Sequence, residues 1–416
     1  MKTIADERII ASSPSPENVF LGNPGLFRSS SGRLFFTHDF WGSGLPFLPG
    51  NKSKTGECPG GCQSKIYYSE NHGTDWIFAA DLPVQHGRIF EGADGVLYLL
   101  GQGRDLRIFR SLDNGESWSD AFILDHNGLW MQGTCSFVVR EGMIHITMEN
   151  RPDELERTWP GVDIILLSAA LSDDLTRRES WHFSNRMSFS DIFSADDNFG
   201  IPFYPTGCQL SMEQPDPRYC GDACFLESHV LEITDTSHIL YEPETLYLVN
   251  RMHTGRSNFG SILCARRKAD GCYVIDTFRA PSGRRMHMLS LPGGHLKFHI
   301  IHDKVSKFYF LASSIAMDSM TRPDRLPATR YNLPDNERNR CGLYFSSNLF
   351  DWCFVGIIAG TDNDRYARSY PNMLIDGDDL LVVCRSGDAR ANSAHNTNLA
   401  TMHRIKDFRR YPDQFI

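Results

Sequence analysis

One short pattern recurs in this chain and constrains its fold more than any other feature. Residues 69–76 (Ser-Glu-Asn-His-Gly-Thr-Asp-Trp) and 111–118 (Ser-Leu-Asp-Asn-Gly-Glu-Ser-Trp) fit one template, and 346–352 is a degraded third copy. In such a turn the Asp or Asn side chain caps the backbone, glycine supplies conformational freedom, and tryptophan packs between neighbouring sheets. The pattern therefore predicts a structural unit that repeats along the chain.

Short β-type segments fill the sequence around these copies. Runs rich in Val, Ile, Phe and Tyr are bounded by Gly, Asp, Asn and Pro, and helical periodicity is scarce. Strands are predicted at 33–38, 65–69, 96–101, 107–111, 136–140, 143–148, 164–171, 245–250, 261–266, 297–301, 308–313, 343–347, 380–384 and 399–404. Because one four-stranded unit cannot bury both of its faces alone, we expect an all-β fold in which 1–416 forms a single β-propeller. Seven blades are the preferred count and six the alternative.

One segment interrupts this rhythm. Residues from about 191 to 224 are rich in Pro, Gly, Phe, Asp and Cys and show no alternation, which predicts a long inserted loop. We interpret the loop as a lid over a site, with the covering of a sheet edge as the alternative.

The eleven cysteines do not form a compact disulfide ladder. The pairs Cys58/Cys62 and Cys220/Cys224 favour free or locally bridged loop cysteines, and a four-thiolate zinc site is the alternative. Four further cysteines in apolar stretches are predicted to be small core residues: Cys135, Cys264, Cys353 and Cys384.

Charge and hydropathy exclude some classes of partner. The net charge is −9, and no long run of Lys or Arg is present, so a nucleic-acid partner is not expected. No apolar run approaches the ~18 residues of a membrane span, and acidic residues stand where a signal peptide would be apolar. We expect a monomer located in the cytoplasm as the sequence is written, or secreted if the N-terminus is incomplete.

Three polar clusters lie in otherwise apolar strands and are candidates for chemistry. They contain His38 in 35–42, His295 and Lys297 in 292–299, and His395 and Asn398 in 394–398. For any one histidine the alternative is a buried structural role. The last cluster suits a sugar, or an ion such as calcium in a central channel, although no cofactor is expected to be required.

Two further strands each carry a charged residue, one acidic and one basic. Glu227 lies among apolar residues in 225–230, and Arg251 ends the strand segment 246–251. A buried arginine needs an anion. Either Glu227 is that anion in a structural ion pair, or Arg251 holds a substrate carboxylate.

Together these segments resemble a family of sialidase-like, Asp-box propellers, the rhamnosyl-glucuronate lyases and related rhamnosidases, and more distantly the ulvan lyases. The matching stretches are 37–42, 226–227, 250–251, 292–298, 394–398 and 402–408, in the expected order over nearly the whole chain. The resemblance implies a propeller of about seven blades with a small acidic-sugar site near the central channel.

The resemblance also implies roles for particular residues. Lyase chemistry needs a group that neutralises the uronate carboxylate, a base for the C5 proton and an acid for the departing oxygen. Arg251 is the implied neutraliser and His86 the implied base or acid, while His38 resembles the base of the rhamnosidases. The chain departs from the pattern at 104–107, which reads Arg-Asp-Leu-Arg where a histidine is expected, and at Met131.

These departures leave three interpretations open. Arg104 or Arg107 has taken a charge-binding role, the site has moved, or the protein only binds its sugar. The candidate catalytic residues are His86, Arg251, His38 and His295. The candidate substrate-binding residues are Glu227, Arg107, Lys297, His395, Asn398 and Arg385.

The leading hypothesis is an enzyme, a polysaccharide lyase or glycoside hydrolase. It would cleave a terminal rhamnose–glucuronate or similar uronate linkage in an acidic oligo- or polysaccharide, by β-elimination or by hydrolysis. The first alternative is a catalytically inactive glycan-binding propeller. The second is an exo-sialidase-like hydrolase, which needs a three-arginine clamp and a Tyr–Glu nucleophile pair. Its Phe/Tyr-Arg-Ile-Pro motif is absent here, because Phe27-Arg28 is followed by Ser29.

Overall fold

The computed structural model describes residues 2–53, 60–152, 160–193, 224–253, 257–280, 282–319, 321, 325–327, 330, 333–363 and 366–414. Within these ranges the strands form six antiparallel sheets that succeed one another along the chain. The class is therefore all-β, as predicted. Six sheets match the alternative blade count rather than the preferred seven. Successive described strands of one blade are separated by residues 42–61 in one case and by 315–339 in another, so the strands of six blades extend over most of the chain.

The strands are assigned to blades as follows. The chain begins with β1 (Asp6–Ser12), which pairs in the last blade. Blade 1 contains β2 (Phe20–Arg28), β3 (Leu34–Trp41), β4 (Cys62–Ser69) and β5 (Ile77–Leu82), and blade 2 contains β6 (Gln85–Glu91), β7 (Leu97–Gln102), β8 (Leu106–Ser111) and β9 (Phe122–Asp125). Blade 3 contains β10 (Leu129–Met131), β11 (Val138–Arg140), β12 (Met143–Arg151), β13 (Asp163–Ala170) and β14 (Trp181–Phe183).

The remaining blades follow in the same way. Blade 4 contains β15 (Cys224–Glu232), β16 (Thr245–His253), β17 (Phe259–Arg267), β18 (Tyr273–Arg279), β19 (Arg285–Met286) and β20 (Met288–Ser290). Blade 5 contains β21 (His299–His302), β22 (Tyr309–Ser314), β23 (Arg340–Ser346) and β24 (Cys353–Gly360), and blade 6 contains β25 (Arg368–Asp376), β26 (Asp379–Ser386), β27 (Leu399–Ile405) and β1. Short 3-10 turns lie at Leu45–Phe47 and Arg178–Ser180, and short helices at α1 (Phe189–Ile192) and α2 (Arg410–Asp413).

Both ends of the chain build blade 6, and this closes the ring. β1 pairs antiparallel with β27, from Asp6 opposite Arg404 to Ser12 opposite Leu399. The Glu7 carboxylate on β1 accepts two hydrogen bonds of 2.7 Å from the Arg368 guanidinium of β25. This pairing joins the last blade to the first part of the chain, and each blade keeps only the short edges typical of a propeller.

The apolar core lies mainly between neighbouring blades. Phe90 of blade 2 packs in one cluster with Trp130 and Ile146 of blade 3. Leu21 and Phe36 of blade 1 pack in another with residues of blade 6. Each sheet thus buries its faces against its neighbours, which is why the unit must repeat around a ring.

The three sequence repeats occupy the same place in three blades, between the third and fourth strands. In each, the first Ser hydroxyl accepts a backbone N–H three or four residues on, from Gly73 (3.0 Å), Gly115 (2.8 Å) or Leu349 (2.9 Å). The Asn or Asp two positions after the Ser accepts a second backbone N–H at 2.9 Å in all three turns. The side chains therefore cap the turn as predicted.

The structure also tests the expectations for the cysteines. Cys135, Cys264 and Cys384 are buried as predicted, whereas Cys353 is exposed, because it opens the outermost strand of blade 5. Cys58 and Cys220 of the two loop pairs lie outside the described residues, as do residues 194–223 of the lid predicted over about 191–224. In the described part of the chain, no helix has the length and apolar character needed to cross a membrane.

The repeat turns predict a large difference between two glycines that share a left-handed backbone. Gly115 has φ +84° and Gly32 has φ +89°. A Cβ at Gly115 would overlap the ring of Phe35, whereas a Cβ at Gly32 would meet nothing within 4 Å. Gly32→Ala should cost about 1–2 kcal/mol for backbone strain alone, and Gly115→Ala roughly 2–5 kcal/mol because overpacking adds to it. Urea unfolding of both variants measures this, and equal losses would contradict the packing of the repeat turn.

Candidate functional site

Four of the innermost strands carry the same local irregularity. Asn23 in β2, His86 in β6, Glu227 in β15 and Tyr370 in β25 have φ between +50° and +56°. At each of them the register with the neighbouring strand shifts. Such a β-bulge inserts a residue and re-aims its side chain, and holding a non-glycine residue in this backbone region costs about 1–3 kcal/mol.

All four bulge residues line one cavity of about 760 Å³. The volume lies in the range of pockets that hold small ligands. The lining residues are Asn23, Trp41, Gly42, Ser43, Gly60, Gln85, His86, Met131, Leu226, Glu227, Tyr370, Arg385 and His395. The four bulges therefore build a single pocket from four different blades.

Arg251 organises one wall of this pocket. Its Nη1 donates to Glu227 Oε2 and to Tyr370 Oη, both at 2.9 Å, and its Nη2 donates to Asp335 Oδ1 at 3.1 Å. Its Nε donates to the carbonyl of His295 at 2.8 Å. The guanidinium is buried and paired with two carboxylates, so the structural ion pair named above is what the structure shows.

Two other arginines near the pocket lack such partners. The guanidinium carbons of Arg338 and Arg385 lie 4.9 Å and 5.2 Å from the ring centre of Tyr370. Both side chains are buried, and Nε and Nη1 of Arg338 and Nε of Arg385 have no hydrogen-bond partner. Among the described residues neither arginine forms an ion pair with a carboxylate. Buried, uncompensated cations of this kind favour the binding of an anion.

His86 is held by its neighbours on both sides of the ring. Its Nε2 contacts the side-chain amide of Asn23, and its Nδ1 contacts the carbonyl of Gln132 and, at 2.9 Å, the amide of Gln102. Burial lowers the pKa of His86 to about 3, so the ring is neutral. A neutral ring with both nitrogens engaged orients other groups better than it exchanges protons.

Asp39 lies directly behind His86 and is the group best placed to hold a proton. Its Oδ2 accepts the backbone N–H of His86 at 2.9 Å, and its Oδ1 accepts the hydroxyl of Ser64. Burial raises the pKa of Asp39 to about 7, despite these hydrogen bonds. A carboxyl group with this pKa can act as a general acid near neutral pH.

A second buried carboxyl group lies in the interior next to the site. Glu149 Oε1 accepts the backbone N–H of Ser228 at 3.1 Å and the amide of Gln132 at 3.0 Å. Burial, together with the charge of Glu227, raises the pKa of Glu149 to about 8. Lys297 is also buried here, and its ammonium donates to the carbonyl of Pro371 at 2.6 Å.

The structure brings seven of the ten sequence-derived candidates together. His86, Glu227, Arg385 and His395 line the pocket. Arg251 and His295 form the layer behind Glu227, and Lys297 lies close to Glu227 as well.

The other three candidates lie elsewhere. His38 is fully buried among the rings of Phe36, Phe40 and Tyr67. Arg107 pairs with Asp105, at 2.5 Å between Nη2 and Oδ1, and does not line the cavity. Asn398 is buried and donates to Asp388 at 2.9 Å, which stabilises a loop.

Sequence reasoning missed three residues that line the pocket, Asn23, Trp41 and Tyr370. It also missed Asp39, which contacts His86, and Arg338, which contacts Tyr370. The sequence did contain a signal for the bulges, because Asn23 and Tyr370 are each followed by proline and His86 by glycine. Proline and glycine inside a strand often mark a bulge. No group of three or more His, Cys, Asp or Glu in the described ranges is arranged to hold a metal ion.

No model of a known protein family and no curated protein matches this sequence. Solved structures do match in fold. A Trypanosoma rangeli sialidase aligns with 100% of this chain and 61% of its own, at 12% identity and TM-score 0.56. A Penicillium chrysogenum alpha-L-arabinanase complexed with arabinobiose aligns over 97% and 99%, at 12% identity and TM-score 0.50. A Dyadobacter fermentans protein of unknown function aligns over 96% and 98%, at 11% identity and TM-score 0.54. The chain therefore has a sialidase-like β-propeller fold.

Glu149 makes the stability of the protein depend on pH. Its pKa is raised to about 8 in the folded protein, from an ordinary value of 4.5. Its contribution is therefore complete below about pH 4.5 and is lost as the pH rises through about 8. Glu149→Gln keeps an acceptor for both hydrogen bonds but cannot ionise. The variant should gain on the order of a few kcal/mol relative to wild type between pH 5 and pH 9. Urea unfolding at both pH values measures this, and parallel pH profiles would contradict it.

Proposed function

We propose that this protein is a glycoside hydrolase that removes a terminal sugar bearing a carboxylate, such as a sialic or uronic acid, from a glycan. The observation that carries the proposal is the buried guanidinium of Arg385, which lines the pocket, together with that of Arg338, which lies over the ring of Tyr370; neither forms an ion pair with a carboxylate among the described residues. Arginine recognises carboxylates through paired N–H donors, and this favours an acidic sugar.

Tyr370 is the proposed nucleophile. Glycosidases usually employ two carboxylates, but sialidases employ a tyrosine. Glu227 is the one carboxylate among the described residues that line the pocket, and it shares Arg251 Nη1 with the Tyr370 hydroxyl. A charged N–H donor stabilises negative charge on the phenolic oxygen, and Glu227 is the neighbouring base that receives its proton.

Asp39 is the proposed acid that protonates the leaving oxygen. Its pKa of about 7 keeps a proton available near neutral pH. His86 and Asn23 line the pocket in front of it, and His86 Nε2 lies 3.6 Å from Asp39 Oδ2. In this arrangement His86 is a positioning residue for Asp39.

The rhamnose–glucuronate linkage expected from the sequence lies outside this class, because the terminal sugar there is the neutral rhamnose and the carboxylate belongs to the glucuronate that it caps. Hydrolysis is favoured over β-elimination, because Arg251 is already paired with carboxylates and both ring nitrogens of His86 contact protein groups. Among the fold neighbours, a Trypanosoma rangeli sialidase is described in complex with sialic acid. That protein's ligand belongs to the same chemical class.

The test is turnover of substrates that differ in the acidic sugar. The enzyme is incubated with methylumbelliferyl glycosides of N-acetylneuraminic acid and glucuronic acid, with the corresponding neutral glucoside, and with rhamnose-capped arabinogalactan. Release of a reducing sugar from an acidic substrate, without the 235 nm absorbance of an unsaturated uronate, is expected. That absorbance would indicate elimination instead. Binding without turnover of any substrate would indicate a glycan-binding protein.

Tyr370→Phe should abolish turnover while the pocket still binds the acidic sugar. Loss of a nucleophile should lower kcat by at least about a thousandfold, because covalent catalysis depends on that one atom. Tyr344→Phe is the matched control, since Tyr344 lies in β23 of blade 5 and does not line the pocket. If the Tyr370 variant keeps more than a tenth of wild-type kcat, Tyr370 is not the nucleophile.

The pH profile of kcat/KM tests the role of Asp39. A general acid with a pKa of about 7 is lost by ionisation above that value, so kcat/KM should fall about tenfold per pH unit on the alkaline side. Asp39→Asn should remove this limb together with most of the activity. Glu149→Gln should keep the limb, because Glu149 hydrogen-bonds to Ser228 and Gln132, whereas Asp39 accepts the backbone N–H of the pocket residue His86. If the alkaline limb shifts in the Glu149→Gln variant, the titrating group is Glu149 and not Asp39.

A further inference from the structure

Arg385 is held at the pocket by aromatic rings rather than by a carboxylate. Its guanidinium carbon lies 4.7 Å from the ring centre of Trp41 and 5.2 Å from that of Tyr370. Its Nη2 donates to the carbonyl of His395. A cation over an aromatic face is stabilised without using the N–H groups at its edge. Arg385 lines the pocket and can therefore be fixed in place without an ion-paired carboxylate.

The indole of Trp41 is itself fixed by the backbone of blade 1. Trp41 makes edge contacts with Phe20 at 6.0 Å and with His395 at 6.3 Å between ring centres. A Cβ at Gly22 would lie 2.8 Å from two indole carbons and 3.2 Å from Arg385 Nε. The φ of Gly22 does not require glycine, so the space taken by Trp41 and Arg385 is what excludes a side chain there.

We propose that Trp41 is a positioning residue that makes the pocket selective for acidic over neutral sugars, by holding Arg385 in place where it lines the pocket and can receive the substrate carboxylate. This inference rests on the proposed function. A carboxylate in place of Trp41 would also hold Arg385, but it would neutralise the charge and compete with the substrate. Without the indole, the long arginine side chain would have to be ordered by the substrate itself, at a cost in rotamer entropy.

The experiment compares binding of N-acetylneuraminic acid and of its uncharged methyl ester by calorimetry, in wild type and in Trp41→Leu. In the wild-type protein the acid should bind more tightly than the ester. In Trp41→Leu the affinity for the acid should fall about 3- to 30-fold, while the affinity for the ester stays within a factor of two. Trp118→Leu, in a repeat turn away from the pocket, is the matched control and should change neither affinity.

Each other outcome has a distinct meaning. Equal losses for acid and ester would show that Trp41 contacts the sugar ring directly, and unchanged affinities would show that it does not hold Arg385. Either result overturns the inference but leaves the proposed function intact. A wild-type protein that does not distinguish acid from ester would overturn the proposed function itself.

Two milder variants keep the inference testable if Trp41→Leu does not fold. Trp41→Phe keeps a smaller aromatic face and should lose less of the selectivity than Trp41→Leu. Gly22→Ala keeps the indole but pushes it from its position, so it should weaken binding of the acid while binding of the ester is retained. Full selectivity in Gly22→Ala, with the protein folded, would contradict the proposed role of the Trp41 position.

Discussion

The site depends on one constraint, the convergence of the inner strands of a closed ring. Because β1 completes blade 6 beside β27, the sheets close and their first strands face a common axis. A side chain that bulges from one of these inner strands can therefore reach the cavity that the strands share. Asn23, His86, Glu227 and Tyr370 come from four blades and from distant parts of the sequence, yet they line the same cavity. The closed ring brings the four inner strands together, and the bulges place the four side chains in the cavity.

The distribution of charge in the pocket follows from which cations are already paired. Arg251 is neutralised by Glu227 and Asp335 and therefore has a structural role. Arg385 and Arg338 are held near the ring of Tyr370 and have no carboxylate partner among the described residues. An anionic ligand would satisfy charges that the protein leaves open. On this account the buried ion pair positions Glu227 and Tyr370, and the unpaired arginines select the substrate.

The scaffold could be predicted from the sequence because its signals are local. The repeat turns and continuous apolar strands such as β7 and β26 are visible in the residues themselves. β2 and β25 were missed, because Pro24 and Pro371 interrupt their strand pattern. The register shifts at these prolines are two of the bulges that form the pocket. The same prolines that prevented prediction of the strands therefore mark the site. Arg338 lies in a long connection, and no local pattern indicates that it approaches Tyr370. The contact between Arg338 and Tyr370 is made by the folded chain and cannot be predicted from their separation in sequence.

The central claim is that the unpaired arginines receive the carboxylate of a sugar. A crystal structure of the protein with N-acetylneuraminic acid or glucuronic acid tests this most directly. The account predicts the sugar in the pocket between the four bulge residues, with its carboxylate oxygens within hydrogen-bond distance of Arg385 and Arg338 and its anomeric carbon near the Tyr370 hydroxyl. A sugar bound with its carboxylate turned to solvent, or bound outside this pocket, would contradict the account.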